Sequence, residues 1–290
     1  MSGAHPLEDE AEQLATALPP LMIEAERLAA AVSVGVHARR KAGIGESFWQ
    51  FRRYRAEDSS VAIDWRQSAK STHLFVRERE LEAAQGVWIW CDRSAGMQFR
   101  SERVSKLERA NLLALAMASL LIRGGERVAL CGETRGPQAS RLALRRMAHA
   151  LSDTTTPGPT FPPEAPITRN SQLVWFSDFL TPLAELESNI SRFTRIGVQA
   201  HLIHIIDPAE EEFPYNGRTR FEASDGVLNE TIGRAENVRQ SYRSRFRAHA
   251  ESVAIAARKL KWGYLVHRTD KPPRTALIAL YSDMSGAVRH

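Results

Sequence analysis

Val87-Trp88-Ile89-Trp90-Cys91-Asp92-Arg93-Ser94-Ala95-Gly96-Met97 is the stretch from which the fold is read. Its uncharged, bulky start predicts a strand covered on both faces, as in a sheet flanked by helices. The run stops at an acid, a hydroxyl and a glycine, so the polar groups fall just past the strand's carboxyl end. In an open α/β sheet that is where loops converge and ligands bind. Asp92 and Ser94, two residues apart on one turn, offer oxygen ligands of the kind a hard cation such as magnesium takes.

Downstream, the same theme recurs. Leu107, Leu112, Leu115, Met117, Leu120 and Leu121 are apolar at helical intervals and predict a helix over 106–123, closed by Gly124-Gly125. A strand over 127–132 and a helix over 142–151 follow, then a surface loop over 154–166 with five prolines. Gln172-Leu173-Val174-Trp175-Phe176-Ser177-Asp178-Phe179 is a second buried strand ending in an acid. A helix over 183–195 leads to a strand over 199–206 that stops at Asp207. After a turn-rich insertion over 207–226 come a basic helix near 235–260 and a last strand over 264–267, ending near Asp270. Such alternation predicts a doubly wound, mostly parallel α/β sheet.

Upstream the texture changes, and three regions are expected: an acidic N-terminal arm and helix over 1–34, a basic, aromatic, β-rich segment over 35–83, and the sheet domain over 84–290. The first 26 residues hold six acids and no lysine or arginine, and 21–32 has helical spacing. Between Val36 and Glu80 ten lysines and arginines stand against six acids, interleaved with Phe48, Trp49, Phe51 and Tyr54. Arg52, Arg53, Tyr54 and Arg55, with Asp64, Trp65 and Arg66, are the candidate partner-binding residues. Packing of these aromatics in a small β subdomain, with the arginines reaching out to water, is the preferred reading; stacking on a single-stranded nucleic acid is the alternative.

Composition bounds the rest. The 290 residues are 43% hydrophobic and 25% charged with a net charge of +5, as in an ordinary globular chain able to bury a full core. Cys91 and Cys131 sit in apolar runs with no metal-ligand spacing, which predicts buried, reduced thiols and a cytoplasmic protein. The apolar run 112–122 is too short to span a bilayer, and the N-terminus has no basic-then-apolar signal.

The motifs Arg52-x-Tyr54-x-x-x-Asp58, Ile63-Asp64-Trp65-x-x-Ser68-Ala69-Lys70, Val76-Arg77-Glu78 and Asp92-Arg93-Ser94-Ala95 resemble, in order and spacing, the bacterial domain-of-unknown-function family 58. Ser177-Asp178-Phe179, Asp207-Pro208-Ala209-Glu210, Gly217-Arg218-Thr219-Arg220-Phe221 and His267-Arg268-Thr269-Asp270 extend the likeness to the C-terminus. The resemblance implies a von Willebrand factor A-like fold and association with a MoxR-type AAA+ ATPase. It also implies a metal-ion-dependent adhesion site for Mg2+ or Mn2+, with Asp92 and Ser94 as direct ligands and Asp178 holding a water. Gly96 stands where that site has its second serine, Glu57 replaces the family's usual glycine, and Thr134 and Thr181 are candidates for its threonine. Asp92 and Ser94 instead capping the following turn is the other reading.

The function expected from the resemblance is a non-enzymatic, chaperone-like adaptor that works with the ATPase on a client protein. A nucleic-acid or acidic-surface binder is the alternative. A metal-dependent hydrolase would need at least three of Asp92, Asp178, Asp207 and Asp270 to converge. His201 and His204, three apart on one strand, point to opposite faces and make poor joint ligands.

Overall fold

The structure is a computed structural model that describes residues 20–37, 48–54, 65–71, 73–79, 86–152, 157–222 and 229–287. The chain divides into two units, Val36–Ala84 and the remainder, Met1–Gly35 with Gln85–His290.

Helix α1 (Pro20–His37) buries Met22, Ala25, Ala29 and Val32, a stripe at helical spacing. In the smaller unit, β1 (Phe48–Arg53) pairs antiparallel with β2 (Phe75–Arg79), with an irregular register between Phe48 and Gln50. Between them lies the short helix α2 (Trp65–Ser68), whose Ser68 hydroxyl accepts from the Phe75 N–H at 2.8 Å. Trp65 and Arg66 are therefore helical rather than extended, and both are exposed.

The larger unit alternates strand and helix. In order these are β3 (Gly86–Cys91), α3 (Lys106–Arg123), β4 (Arg127–Leu130), α4 (Arg141–Ser152), β5 (Gln172–Ser177), α5 (Leu183–Ile196) and β6 (Gln199–Ile206). The short α6 (Pro208–Glu212) and β7 (Thr219–Glu222) lie in the segment read as turn-rich, and β7 pairs antiparallel with β8 (Asn229–Ile232) just beyond it. Then come α7 (Ala235–Lys259), β9 (Gly263–Arg268) and α8 (Pro273–Ala287).

The sheet has the order β4-β3-β5-β6-β9, every pair parallel. An isolated antiparallel bridge, Val128 to Gln138, lies beside the β4 edge. Its first strand, β3, lies second from one edge; the chain adds β4 on one side and then β5, β6 and β9 on the other, which sets the topological switch point between β3 and β5. Side chains alternate across the sheet with period two. Trp88, Trp90, Leu173, Trp175, Ala200 and Leu202 form one core with Leu186, Ile190 and Phe193 of α5 and Val253 and Ala257 of α7. Their neighbours face α3 and α8: the Cys91 thiol lies 3.9 Å from the Ala110 carbonyl, and His201 Nδ1 lies 2.7 Å from Asp283 Oδ2. His204, three residues on, meets Tyr264 on the other face, as its spacing predicts. Every residue of α3 from Ala110 to Leu121 is buried, Asn111 and Ser119 being the polar ones, so this stretch of the helix lies inside the unit. Both cysteines are free and buried. No helix among the described residues is long and apolar enough to cross a membrane.

Candidate functional site

β3, β5 and β6 are neighbours and parallel, so their carboxyl ends bring Asp92, Asp178 and Asp207 to one edge of the sheet. Asp92 is fully buried. Its N–H continues the ladder to the Phe176 carbonyl at 2.8 Å. Its Oδ1 accepts from the Ser94 N–H at 2.8 Å and its Oδ2 from the Ser177 hydroxyl at 2.6 Å. Burial raises the Asp92 pKa to about 6; the Ser177 hydrogen bond opposes that rise and the Asp178 charge adds to it. Asp92 thus closes an Asx-type turn and ties β3 to β5.

Asp178 sits on the turn that ends β5. Phe179 makes this turn in the left-handed region, at φ 48°, with its N–H on the Ser177 hydroxyl at 3.0 Å. Asp178 Oδ1 accepts from the Leu180 N–H at 3.1 Å, and Oδ2 faces a group that the sequence reading passed over, Lys106. Lys106 is the first residue of α3, placed by a capping box between Ser105 and Glu108. Its ammonium is buried, 2.7 Å from Asp178 Oδ2, hydrogen-bonded to Glu210 Oε1 and 5.9 Å from the centre of the Phe99 ring. Desolvation alone would lower the Lys106 pKa, but the two carboxylates outweigh it and hold the group charged.

Glu210 is fixed by a second capping box. Asp207 caps α6 through its Oδ1 on the Ala209 N–H at 2.9 Å, and Glu210 Oε2 accepts from the Asp207 N–H at 3.0 Å. Asp207 Oδ2 also accepts from the Ser101 N–H at 2.9 Å, pinning the loop before α3. The local signals for this arrangement are Ser105-x-x-Glu108 and Asp207-Pro208-Ala209-Glu210. A lysine at a helix's first position is itself an anomaly, because the positive end of the macrodipole repels it.

Above the ion triad lies an open cleft of about 600 Å3. Ser94, Gly96, Lys106, Asp178 and Glu210 line it with Thr160 and Thr181, and Phe99, Phe213, Tyr215, Phe221 and Tyr242 supply aromatic walls. Phe213 stacks on Phe221 at 5.4 Å and lies 4.6 Å from Tyr242. Thr181 Oγ1 is buried and has no hydrogen-bond partner among the described residues. Of the two candidate threonines it is the one on the cleft; Thr134 is not among the lining residues. A Cβ on Gly96 would stand 3.1 Å from Asp178 Oδ2 and 3.9 Å from the Ser94 hydroxyl, so the position of the missing serine does face this carboxylate.

The donor set is thus matched to an internal ammonium. Both Asp92 oxygens are committed to protein donors, and a divalent ion on Asp178 Oδ2 would have to displace Lys106. Among the described residues no group of three or more His, Cys, Asp or Glu is arranged around a common metal position. Asp270 lies apart in this scheme, paired with Arg268 at 3.0 Å. Of the candidate partner-binding residues, Arg52 and Arg53 lie on β1, Tyr54 is half-buried with its N–H on the Leu74 carbonyl, and Trp65 is 65% exposed beside Arg66. Arg55 and Asp64 lie outside the described residues.

Two mycobacterial proteins align with almost the whole chain. The uncharacterized protein Rv1480 of Mycobacterium tuberculosis (strain ATCC 25618 / H37Rv) is 26% identical over 277 residues, covering 89% of this chain and 86% of the relative. The uncharacterized protein Mb1516 of Mycobacterium bovis aligns with the same identity and coverage. Among solved structures, the conserved hypothetical protein BatB from Bacteroides thetaiotaomicron superposes with a TM-score of 0.44 at 15% identity, over 71% of this chain and 100% of that one. An aerotolerance-related membrane protein from Bacteroides fragilis gives 0.39 at 15% identity, over 70% and 99%. The sequence profile of a family described as protein of unknown function, DUF58, matches residues 50–252, more than half of the chain. The chain therefore belongs to the DUF58 family.

Proposed function

We propose that this protein is a non-enzymatic interaction module that docks partners at the carboxyl edge of its parallel sheet. In this role it serves a MoxR-type AAA+ ATPase as a cytoplasmic adaptor in the maturation or assembly of a client protein. The observation that carries the docking site is the cleft itself, an open mouth walled by aromatic rings at the switch point of the sheet. Aromatic side chains fixed in place are what anchors protein interfaces, because they bury large area at little entropic cost. The charged groups on the floor are bound to one another, which suits a rigid docking surface. The ATPase as partner comes from the family resemblance, and a von Willebrand A-like site at this edge agrees with the strand order.

The test uses the full chain and a purified MoxR-type ATPase encoded in the same genome, with binding followed by interferometry. Binding is expected, and Tyr242→Ala, which removes one wall of the cleft, should weaken it at least tenfold. No binding would dispose of the adaptor role; equal binding by Tyr242→Ala would place the docking surface elsewhere.

A further inference from the structure

We propose that the cleft is a socket for a cationic side chain, an arginine presented by the partner protein, rather than for the acidic group that a metal-bearing adhesion site accepts. This rests on reading the cleft as a docking surface, and it follows from the sign of the charge on the floor. A divalent ion held by two carboxylates leaves an electrophilic position that a partner's carboxylate completes. Here the cation is a single ammonium, Lys106, shared between Asp178 and Glu210. One positive charge against two negative ones leaves a surplus of one negative charge at the base of the cleft. An incoming carboxylate is repelled by that surplus; an incoming cation is drawn to it.

The walls match the same ligand. Phe213, Phe221, Tyr215 and Tyr242 pack in mutual contact, with centroids 4.6 to 5.4 Å apart. Aromatic faces carry negative quadrupole potential and attract guanidinium more readily than ammonium, since a planar guanidinium also stacks. Nearby acids are felt at these walls: burial first, then the charges of Asp207 behind the floor and of Glu210 on it, raise the Tyr215 hydroxyl, and burial with Glu210 pushes Tyr242 up to about 12. A guanidinium brings five N–H donors and no acceptor. The cleft offers acceptors to receive them. Each carboxylate of the triad has room for more hydrogen bonds than the two it makes, and the buried Thr181 hydroxyl oxygen has no partner among the described residues. A volume of about 600 Å3 takes an arginine side chain together with its flanking backbone.

The probe is a set of blocked tripeptides, Ac-Ala-X-Ala-NH2, with X as arginine, citrulline or glutamate, titrated into the full chain and followed by amide NMR shifts. Citrulline keeps the shape of arginine and lacks its charge. Saturable binding of the arginine peptide is expected at millimolar concentration, at least tenfold tighter than citrulline, with no saturation by glutamate. Glu210→Gln and Tyr242→Leu should each weaken the arginine peptide fivefold or more. Thr181→Val is a milder variant that leaves the triad intact, and it should weaken the peptide two- to threefold. Equal binding of arginine and citrulline, preference for glutamate, or no saturable binding would overturn the proposal. Arginine-selective binding without ATPase binding would remove the adaptor role and leave the socket. ATPase binding that depends on Tyr242 without arginine selectivity would do the reverse.

Discussion

Replacing Lys106 by methionine tests the triad most directly. Methionine has nearly the length of the lysine stem and keeps its apolar packing, so the change isolates the ammonium. What remains is Asp178 Oδ2 and Glu210 Oε1, which now face one another across a space the ammonium filled, with side chains only 7% and 13% exposed. Removing one partner from a buried ion pair costs about 3–5 kcal/mol, because the other charge is left desolvated. That is a large share of the roughly 5–15 kcal/mol by which a domain is stable. The penalty must also depend on pH. Without the ammonium, two buried carboxylates share one site, and the folded-state pKa of Glu210, already raised by burial, loses the Lys106 charge that opposed the rise. Groups raised in this way bind more protons in the folded state, so stability is lost as pH rises and recovered as it falls. Lys106→Met should therefore carry its full cost near pH 8 and lose much of it near pH 5. Adding Asp178→Asn and Glu210→Gln removes all three charges and should return stability to within ~1 kcal/mol of the parent. Urea unfolding read by fluorescence of the buried Trp88, Trp90 and Trp175, with circular dichroism as a second probe, measures each variant. A cost below about 1 kcal/mol at pH 8, or one that does not change with pH, would refute the triad as described.

Three further outcomes follow from the same geometry. Asp92 has a folded-state pKa of about 6 against a reference of 3.8, so it withdraws about 3 kcal/mol of stability as pH climbs through that window. Asp92→Asn should gain on the parent by about that amount between pH 4 and pH 7, and urea midpoints that stay parallel would contradict it. Burial pushes His204 down to about 4, so its ring should stay neutral between about pH 5 and pH 7 in carbon-detected NMR; a midpoint above 6 would mean that water reaches it. A Cβ on Gly263 would collide with Asp283 Oδ2 and come within 2.5 Å of His201 Nδ1, which hydrogen-bond to each other. Gly263→Ala should cost about 1–3 kcal/mol and lower the melting temperature; an unchanged melt would show that α8 gives way freely.

Much of the larger unit was legible from one chain. Residues 106–123 form a helix and 199–206 a strand with the bounds expected, because long apolar periods and the Gly124-Gly125 stop are local signals. The doubly wound sheet followed from alternation. Helix α8 was not anticipated, although Pro273 opens it and Ala276, Leu277, Leu280, Tyr281 and Met284 are buried at helical spacing. The helical turn Trp65–Ser68 was not anticipated either, because four residues of mixed propensity do not announce one.

The site divides in the same way. Sequence alone determined that acids stand at the ends of buried parallel strands, since strand patterning and chain order dictate which edge they reach. It also held the two capping boxes that place Lys106 and Glu210 at the starts of their helices. Only the tertiary structure decided which cation meets those acids. Lys106 lies 72 residues from Asp178 and 104 from Glu210 in the chain. A Coulombic contact over that separation has no local period to reveal it, because it exists only once the β3, β5 and β6 ends are assembled around the start of α3.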